Sequence, residues 1–366
     1  KVYEVFAEGG GNTFGVELDS QGRIFSGHNG GDTRGFHYVQ GGYYRKGFGK
    51  HGPLSNPYTF GYFAHMTHHS VARFTHNFVI YDGVPGWSQT LPEKYHGKLF
   101  GVEPMQGQVV MSSFEPEGST FKTEDISRPI LSEDRRFRPV DIKVGPDGAI
   151  YVADFYEPQI SHREHFAGQI DRTNGRVVRL KAKGSTPLPP FDMNKVDSTG
   201  LVKTLLKGNR WFRQAALRLL ADRQDKSVLP QLKQLIASLG EKTPVDFVWA
   251  VYQLGGLTDE YAGELLMHAN PYVRLWTVRL LADENKVSPP IAYKLADLAR
   301  SEPNVEVRSQ LACSAKRLPA DQALPIIVNL LGHQEDADDL HMPLLLWWAL
   351  EDKSDTDGKD VVNLFE

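Results

Sequence analysis

The feature that most restricts what this chain can become is a ten-residue segment that recurs along its second half. Residues 211–220 are echoed at 272–281 and 306–315, and more loosely at 246–254 and 341–350. Copies open after a breaker or cap such as Asn209, Pro271 or Pro303. Apolar residues then recur at i, i+3, i+4 and i+7, which gives each helix one buried stripe. Second helices, such as 228–237 and 320–331, lie between the copies. One pair of this kind cannot bury its own stripe, whereas stacked pairs can, so the repeat predicts a solenoid of about five helix pairs. Arg213, Arg274 and Arg308 hold the same place in their copies, and a structural bridge between neighbouring repeats is their expected role. Trp347 and Trp348 are adjacent. Neighbours on a helix point about 100° apart, so one should enter the core and the other contact a repeat.

The first half has a different grammar. Ten of the 13 His lie between His28 and His165, among dense Gly and aromatic residues. Residues 15–26 and 140–152 share one pattern: alternating apolar and polar positions, a tight turn at Ser20-Gln21-Gly22 or Pro146-Asp147-Gly148, then a second strand. The turn glycine supplies a positive φ, and alternation buries one face of each strand. Further strands are expected at 70–81, 99–102, 108–114 and 176–180. Recurring hairpins with strand between them are how propeller blades look in sequence. At roughly 40–50 residues per blade this stretch holds three or four, so blades before Lys1 would be needed to close a ring. The Pro- and Gly-rich segment 181–190 reads as a surface linker. The expected fold is therefore β plus α, with propeller blades over 1–183, a Pro-rich linker over 184–200 and a HEAT-like solenoid over 201–366.

Bulk properties narrow the function. A net charge of -4 argues against nucleic acid, which calls for a basic face. No run approaches the 18 apolar residues of a membrane span. The opening at Lys1, on a strand-like run without an initiator Met, reads as a mature or excised piece. Cys313 is the sole cysteine, which leaves no internal disulfide and no covalent c-type haem attachment. Its Leu- and Ala-rich helical setting predicts a buried structural thiol. No G-x-S-x-G elbow suggests a hydrolase.

Residues 137–156, with their continuation through Gln159 to His162 and over 171–180, closely resemble the last blade of the sorbosone and aldose sugar dehydrogenase propellers. More narrowly, the chain is similar to the large secreted propeller–HEAT proteins of planctomycete-like bacteria known as membrane-bound dehydrogenases, which often end in a c-type haem domain. The helix opening at 209–222 and the run 344–351 fit that group too. The resemblance implies a six-bladed propeller whose open face holds pyrroloquinoline quinone with calcium nearby, in the periplasm or outside the cell. Arg136 and Arg138 match two arginines that face the quinone. The cofactor is a tricarboxylate, and guanidinium groups bind carboxylates bidentately. The sequence departs from the pattern at 103–107, where no Lys appears, and a general-base His would lie before Lys1.

Candidate ligand residues follow from the loops. The segment 27–34 puts His28, Asp32 and Arg34 on a Gly-rich loop after a strand, where substrate contact or a solvated blade loop are both open. His65, His68 and His69 form a possible metal cluster without H-E-x-x-H spacing. Asp154, Tyr156 and His162 follow the last-blade strand. Asp154 is either an exposed carboxylate for calcium or a sugar hydroxyl, or a tie between loops. Two functions follow. One is a sugar or polyol dehydrogenase-like module, inactive as this chain alone, passing electrons to a cytochrome c-type domain or redox partner. The other is a non-catalytic scaffold that binds carbohydrate or other protein subunits through its propeller and HEAT surfaces.

Overall fold

The structure is a computed structural model that describes residues 3–45, 56, 59–69, 77–82, 91–158, 171, 173–185 and 187–366. Among these the chain is mixed β and α: three antiparallel sheets, none closed on itself, followed by ten α-helices. The first sheet holds β1 (Glu17–Leu18), β2 (Ile24–Ser26) and β3 (Phe36–Tyr38). The second holds β4 (Phe78–Tyr81), β5 (Lys98–Glu103), β6 (Gln108–Glu117) and β7 (Thr120–Leu131). In the third, β9 (Ile150–Asp154) lies between β8 (Pro139–Val144) and β10 (Arg176–Leu180). Both anticipated hairpin turns are present. Gly22 and Gly148 close them at φ +77° and +71°, a region open to glycine at little cost.

Alternation explains how the sheets layer. Phe78, Ile80 and Leu99 face one way and pack with Phe25 and Phe121. Val79, Tyr81, Phe100 and Val102 face the other way and pack with Ile142, Ile150 and Val152 of the third sheet. Strands β4 and β5 are thus buried on both faces, which is why β5 reads as an almost unbroken apolar run. Of the strand expected at 70–81, the portion 70–76 lies outside the described residues.

The helices are α1 (Ser198–Lys207), α2 (Arg210–Arg223), α3 (Leu229–Leu239), α4 (Val245–Gln253), α5 (Asp259–Leu265), α6 (Pro271–Leu281), α7 (Pro289–Ser301), α8 (Val305–Arg317), α9 (Ala320–Leu331) and α10 (Met342–Asn363). Each even-numbered helix packs on the next even-numbered one, and α5, α7 and α9 form a second row behind them. The repeated segment is visible at atomic level. Asn209, Asn270 and Asn304 cap α2, α6 and α8 by accepting backbone N–H groups. Four residues on, Arg213, Arg274 and Arg308 reach Asp246, Glu302 and Asp336 at 3.3, 2.5 and 2.5 Å. Each carboxylate stands at or near the start of a following even-numbered helix, so these arginines join successive turns of the stack.

The described residues of 181–192 carry no helix or strand, yet the two halves are closely joined. The Arg210 guanidinium donates to Glu17, to Asp82 at 2.7 Å and to the Leu18 carbonyl at 2.6 Å. Arg23 pairs with Asp19 at 2.6 Å and with Glu306 at 3.1 Å. Asp339 accepts the backbone N–H of Ser119 at 2.8 Å. Phe36, Tyr44 and Phe63 belong to the same apolar core as α5 to α10. Trp348 is buried and donates to the Thr59 carbonyl at 2.8 Å, while Trp347 is half-exposed against Phe60. Cys313 is buried, and burial pushes its thiol up to about 12. Among the described residues no helix is long and apolar enough to cross a membrane.

Candidate functional site

The resemblance directs attention to the end of the third sheet, where β9 runs out at Asp154. Ile150, Val152 and Asp154 all point to the buried side of the strand. Of the two readings left open for Asp154, the exposed carboxylate does not hold: period-2 alternation carries its side chain inward. Its oxygens accept the backbone N–H of Arg138 at 2.7 Å, that of Tyr156 at 2.9 Å and Nε of Arg176 at 2.8 Å. Asp154 ties the loop after β9 to the loop before β8. Calcium takes six to eight oxygen ligands, and an aspartate already receiving three donors does not fit that demand.

Arg138 is engaged in the same way. Its guanidinium donates to the Phe137 carbonyl at 2.9 Å and the Pro158 carbonyl at 2.6 Å. Partial burial lowers its pKa, with Asp154 and Asp134 opposing. Two carbonyls thus occupy the fork that a quinone carboxylate would need. Arg136 differs: its side chain is 53% exposed and meets Asp171 at 3.5 Å. Asp171 is itself held down at about 2 by the Asn174 side chain and by Thr173. The resemblance pairs Arg136 with Arg138, but Arg136 and Arg176 are the two that approach Tyr156, 5.9 and 4.5 Å from its ring centroid. Tyr156 adopts φ +54°, a left-handed conformation costing a non-glycine residue about 1–2 kcal/mol. Such an outlier often marks a site where geometry has been chosen over ease. His162 lies outside the described residues, as does His165.

The Gly-rich loop 27–34 is not a flexible display of polar groups. His28 is buried, with Nδ1 3.2 Å from the Gly11 carbonyl, and Gly11 and Gly30 lie so close to the ring that a Cβ at either would collide with it. Burial lowers the His28 pKa, helped by nearby His65. Asp32 is exposed, at φ +71°. Arg34 is the clearest correction: its side chain is 1% exposed and pairs with Glu103, and with Asp125 at 2.5 Å. Gln108 also donates to Glu103, and Ser112 to Asp125 at 2.8 Å. Glu103 stands in the segment where the resemblance leads one to look for a Lys. A charge closing the buried strand β5 was the available signal for an interior ion pair.

The His cluster separates in space. His65 Nδ1 lies 3.3 Å from the Met66 carbonyl, and His69 is exposed. His68 is buried at its ring, with Nδ1 2.8 Å from the Thr123 hydroxyl and Nε2 3.7 Å from Asp125. Burial lowers the His68 pKa although Asp125 opposes it. Among the described residues no three His, Cys, Asp or Glu side chains converge as metal ligands.

Set beside known proteins, residues 1–184 match a domain family described as a domain of unknown function, DUF7133. No curated protein matches the chain. Among solved structures, the chain is similar to an oxidoreductase from Thermus thermophilus described as a glucose dehydrogenase, at 19% identity and a TM-score of 0.29. The similarity covers 45% of this chain and 44% of that one, so the chain spans less than half of that protein's length.

Proposed function

Because the chain belongs to the DUF7133 family, whose description carries no activity, we propose a role from geometry: the protein is a non-catalytic binding scaffold. In this reading the three layered sheets are propeller blades and the helices a HEAT-like solenoid. The observation that carries it is the way the halves are fused. Helices α2, α6, α8 and α10 are committed to the first half of the chain through Arg210, Tyr272, Glu306 and Trp348. The other row carries Tyr293 at 78% exposure, with Val328 also exposed, and Met267 follows α5 at 78%. Large apolar side chains left outward on a braced row suit a protein partner. Native mass spectrometry of the protein purified from its source tests this. The reading expects a stable assembly with other subunits that Tyr293→Ala with Met267→Ala weakens at least tenfold. Recovery of single chains only would overturn it.

Tyr156 favours a second reading, the dehydrogenase-like one. Arg136 and Arg176 both lie close to its ring, and cations beside an aromatic side chain suit a planar anion such as pyrroloquinoline quinone. When bound, the quinone would supply the two-electron chemistry. This chain's part would be to hold a carboxylate with Arg136 and cover the ring with Tyr156, electrons leaving to a haem-bearing partner. Titration with the quinone, followed by tryptophan quenching, should show saturable binding that Arg136→Ala weakens. No binding at millimolar quinone would remove this reading.

A further inference from the structure

At the start of α10, His341 meets His37 of β3 ring to ring, with centroids 5.8 Å apart and planes 29° apart. Both residues are buried, 5% exposed for His37 and 2% for His341. Phe25 and Phe121 stand 4.9 and 5.1 Å from His37, and Phe63 stands 4.0 Å from His341. Among the described residues neither Nδ1 has a hydrogen-bond partner, an uncommon state for a buried polar atom. The pair sits where the first sheet meets the helical stack. Beside it, Asp339 accepts N–H groups from Ser119, His341 and Met342 at 2.8, 2.9 and 3.0 Å.

Three other titratable or charged groups face the pair. Arg23 approaches His37 and is itself neutralised by Asp19 and Glu306. Asp339 faces His341. Tyr44 lies 6.5 Å from His341, its hydroxyl donating to the His37 carbonyl at 2.7 Å, and burial keeps it neutral by raising its pKa. The pair therefore has one carboxylate near one ring, a guanidinium near the other and aromatic surface elsewhere.

We propose that His37 and His341 form an acid-sensitive latch between the sheets and the helical stack, closed while both rings are neutral and opened when either gains a proton. A cation formed there would lose its water, face a second imidazole and find no acceptor for the new N–H. Burial holds His341 at about 4 against its ordinary 6.5, with Asp339 opposing. Burial takes His37 down as well, His341 and Arg23 adding to the effect. A lowered histidine contributes its full stability above pH 6.5 and loses it as the pH falls toward the folded value. Asp339 acts in another window. Its pKa is lowered from 3.8 by the Ser119 hydroxyl and by N–H donors, against burial, so its contribution disappears only in stronger acid.

The test is unfolding of the full chain by urea at pH 7.5 and 4.5, in wild type and His341→Phe, which keeps the ring and removes the proton site. For one histidine moving from 6.5 to about 4, the ratio of the two folding constants should shift about 70-fold in favour of the variant at pH 4.5. Parallel losses within about twofold would overturn the latch. Hydrogen exchange compared between pH 7.5 and pH 4, where His341 takes up its proton, separates a latch from a merely buried pair: protection should fall in β3 and the first turns of α10 while α4 keeps its own. Simultaneous loss in α4 and α10 would overturn it. Should His341→Phe fail to fold, histidine proton resonances of the wild type decide the matter. Both rings titrating near 6.5 would refute the proposal, and both remaining neutral at pH 5 would support it.

Discussion

Replacing Arg308 by alanine would remove the most completely buried rung of the helical stack. The Arg308 side chain is 3% exposed and Asp336 5%. Nε and one terminal nitrogen grip the two oxygens of Asp336 at 2.6 and 2.5 Å, and the other donates to the Glu302 carbonyl at 2.9 Å. Alanine leaves Asp336 buried without its cation, and breaking such a pair costs about 3–5 kcal/mol. At a urea slope of about 3 kcal/mol/M, a loss of about 4 kcal/mol lowers the unfolding midpoint by about 1.3 M. Replacing both partners, Arg308→Met with Asp336→Leu, removes the stranded charge. The double variant should return to within about 1 kcal/mol of wild type, the residue being the donor lost to Glu302. Arg213 provides the internal comparison. It meets Asp246 through one contact at 3.3 Å, and burial already raises the Asp246 pKa, so its carboxyl takes up a proton readily. Arg213→Ala should cost about 2 kcal/mol. Circular dichroism at 222 nm across a urea series would follow all three. Equal losses in the Arg308 single and double variants, or a larger loss at Arg213 than at Arg308, would refute the reasoning.

Two further substitutions probe the junction between the halves. Gly22→Ala would place a Cβ 2.5 Å from both Trp249 and Trp276 at a backbone of φ +77°. With left-handed strain of about 1–2 kcal/mol and overpacking of about 1–3 kcal/mol, thermal unfolding should begin several degrees earlier; an unchanged midpoint would mean that the hairpin lifts freely off the helices. Arg210→Met strands Glu17 and Asp82 together in the interior. It should cost about 3 kcal/mol or more, with a loss steeper at pH 8 than at pH 5, where burial lets Glu17, already raised in pKa, take a proton; a pH-independent loss would argue against that account.

The local rules were legible in the sequence and the long-range ones were not. Strand β10 falls at 176–180 as expected, and the shared place of Arg213, Arg274 and Arg308 in their repeats foretold the rungs they make. Strand β7 went unread because Thr120–Leu131 mixes charges with Pro129, both of which demote a strand by composition. Arg34 could not be distinguished from a loop arginine by its neighbours, since its partners Glu103 and Asp125 lie 69 and 91 residues away. For Asp154 the sequence left two readings open, an exposed ligand or a loop tie, and alternation could have decided between them. Counting twos from Ile150 places it indoors, and a carboxylate indoors at a strand end signals a loop tie rather than a ligand. His37 and His341 are separated by most of the chain, and nothing local marks either as half of a pair.

The core shared by Phe36, Tyr44, Phe63 and the later helices has a consequence for where the chain can be cut. The DUF7133 match stops at residue 184, but the apolar surface that finishes its first sheet is encoded beyond that point. A fragment cut there would bare these rings, each able to bury about 150–250 Å², and so present a sticky patch larger than most monomers tolerate. The boundary seen by comparing sequences is thus not a seam along which the molecule can be taken apart. A change at Leu311 or Met342, which share that core, is therefore felt in the β half as well.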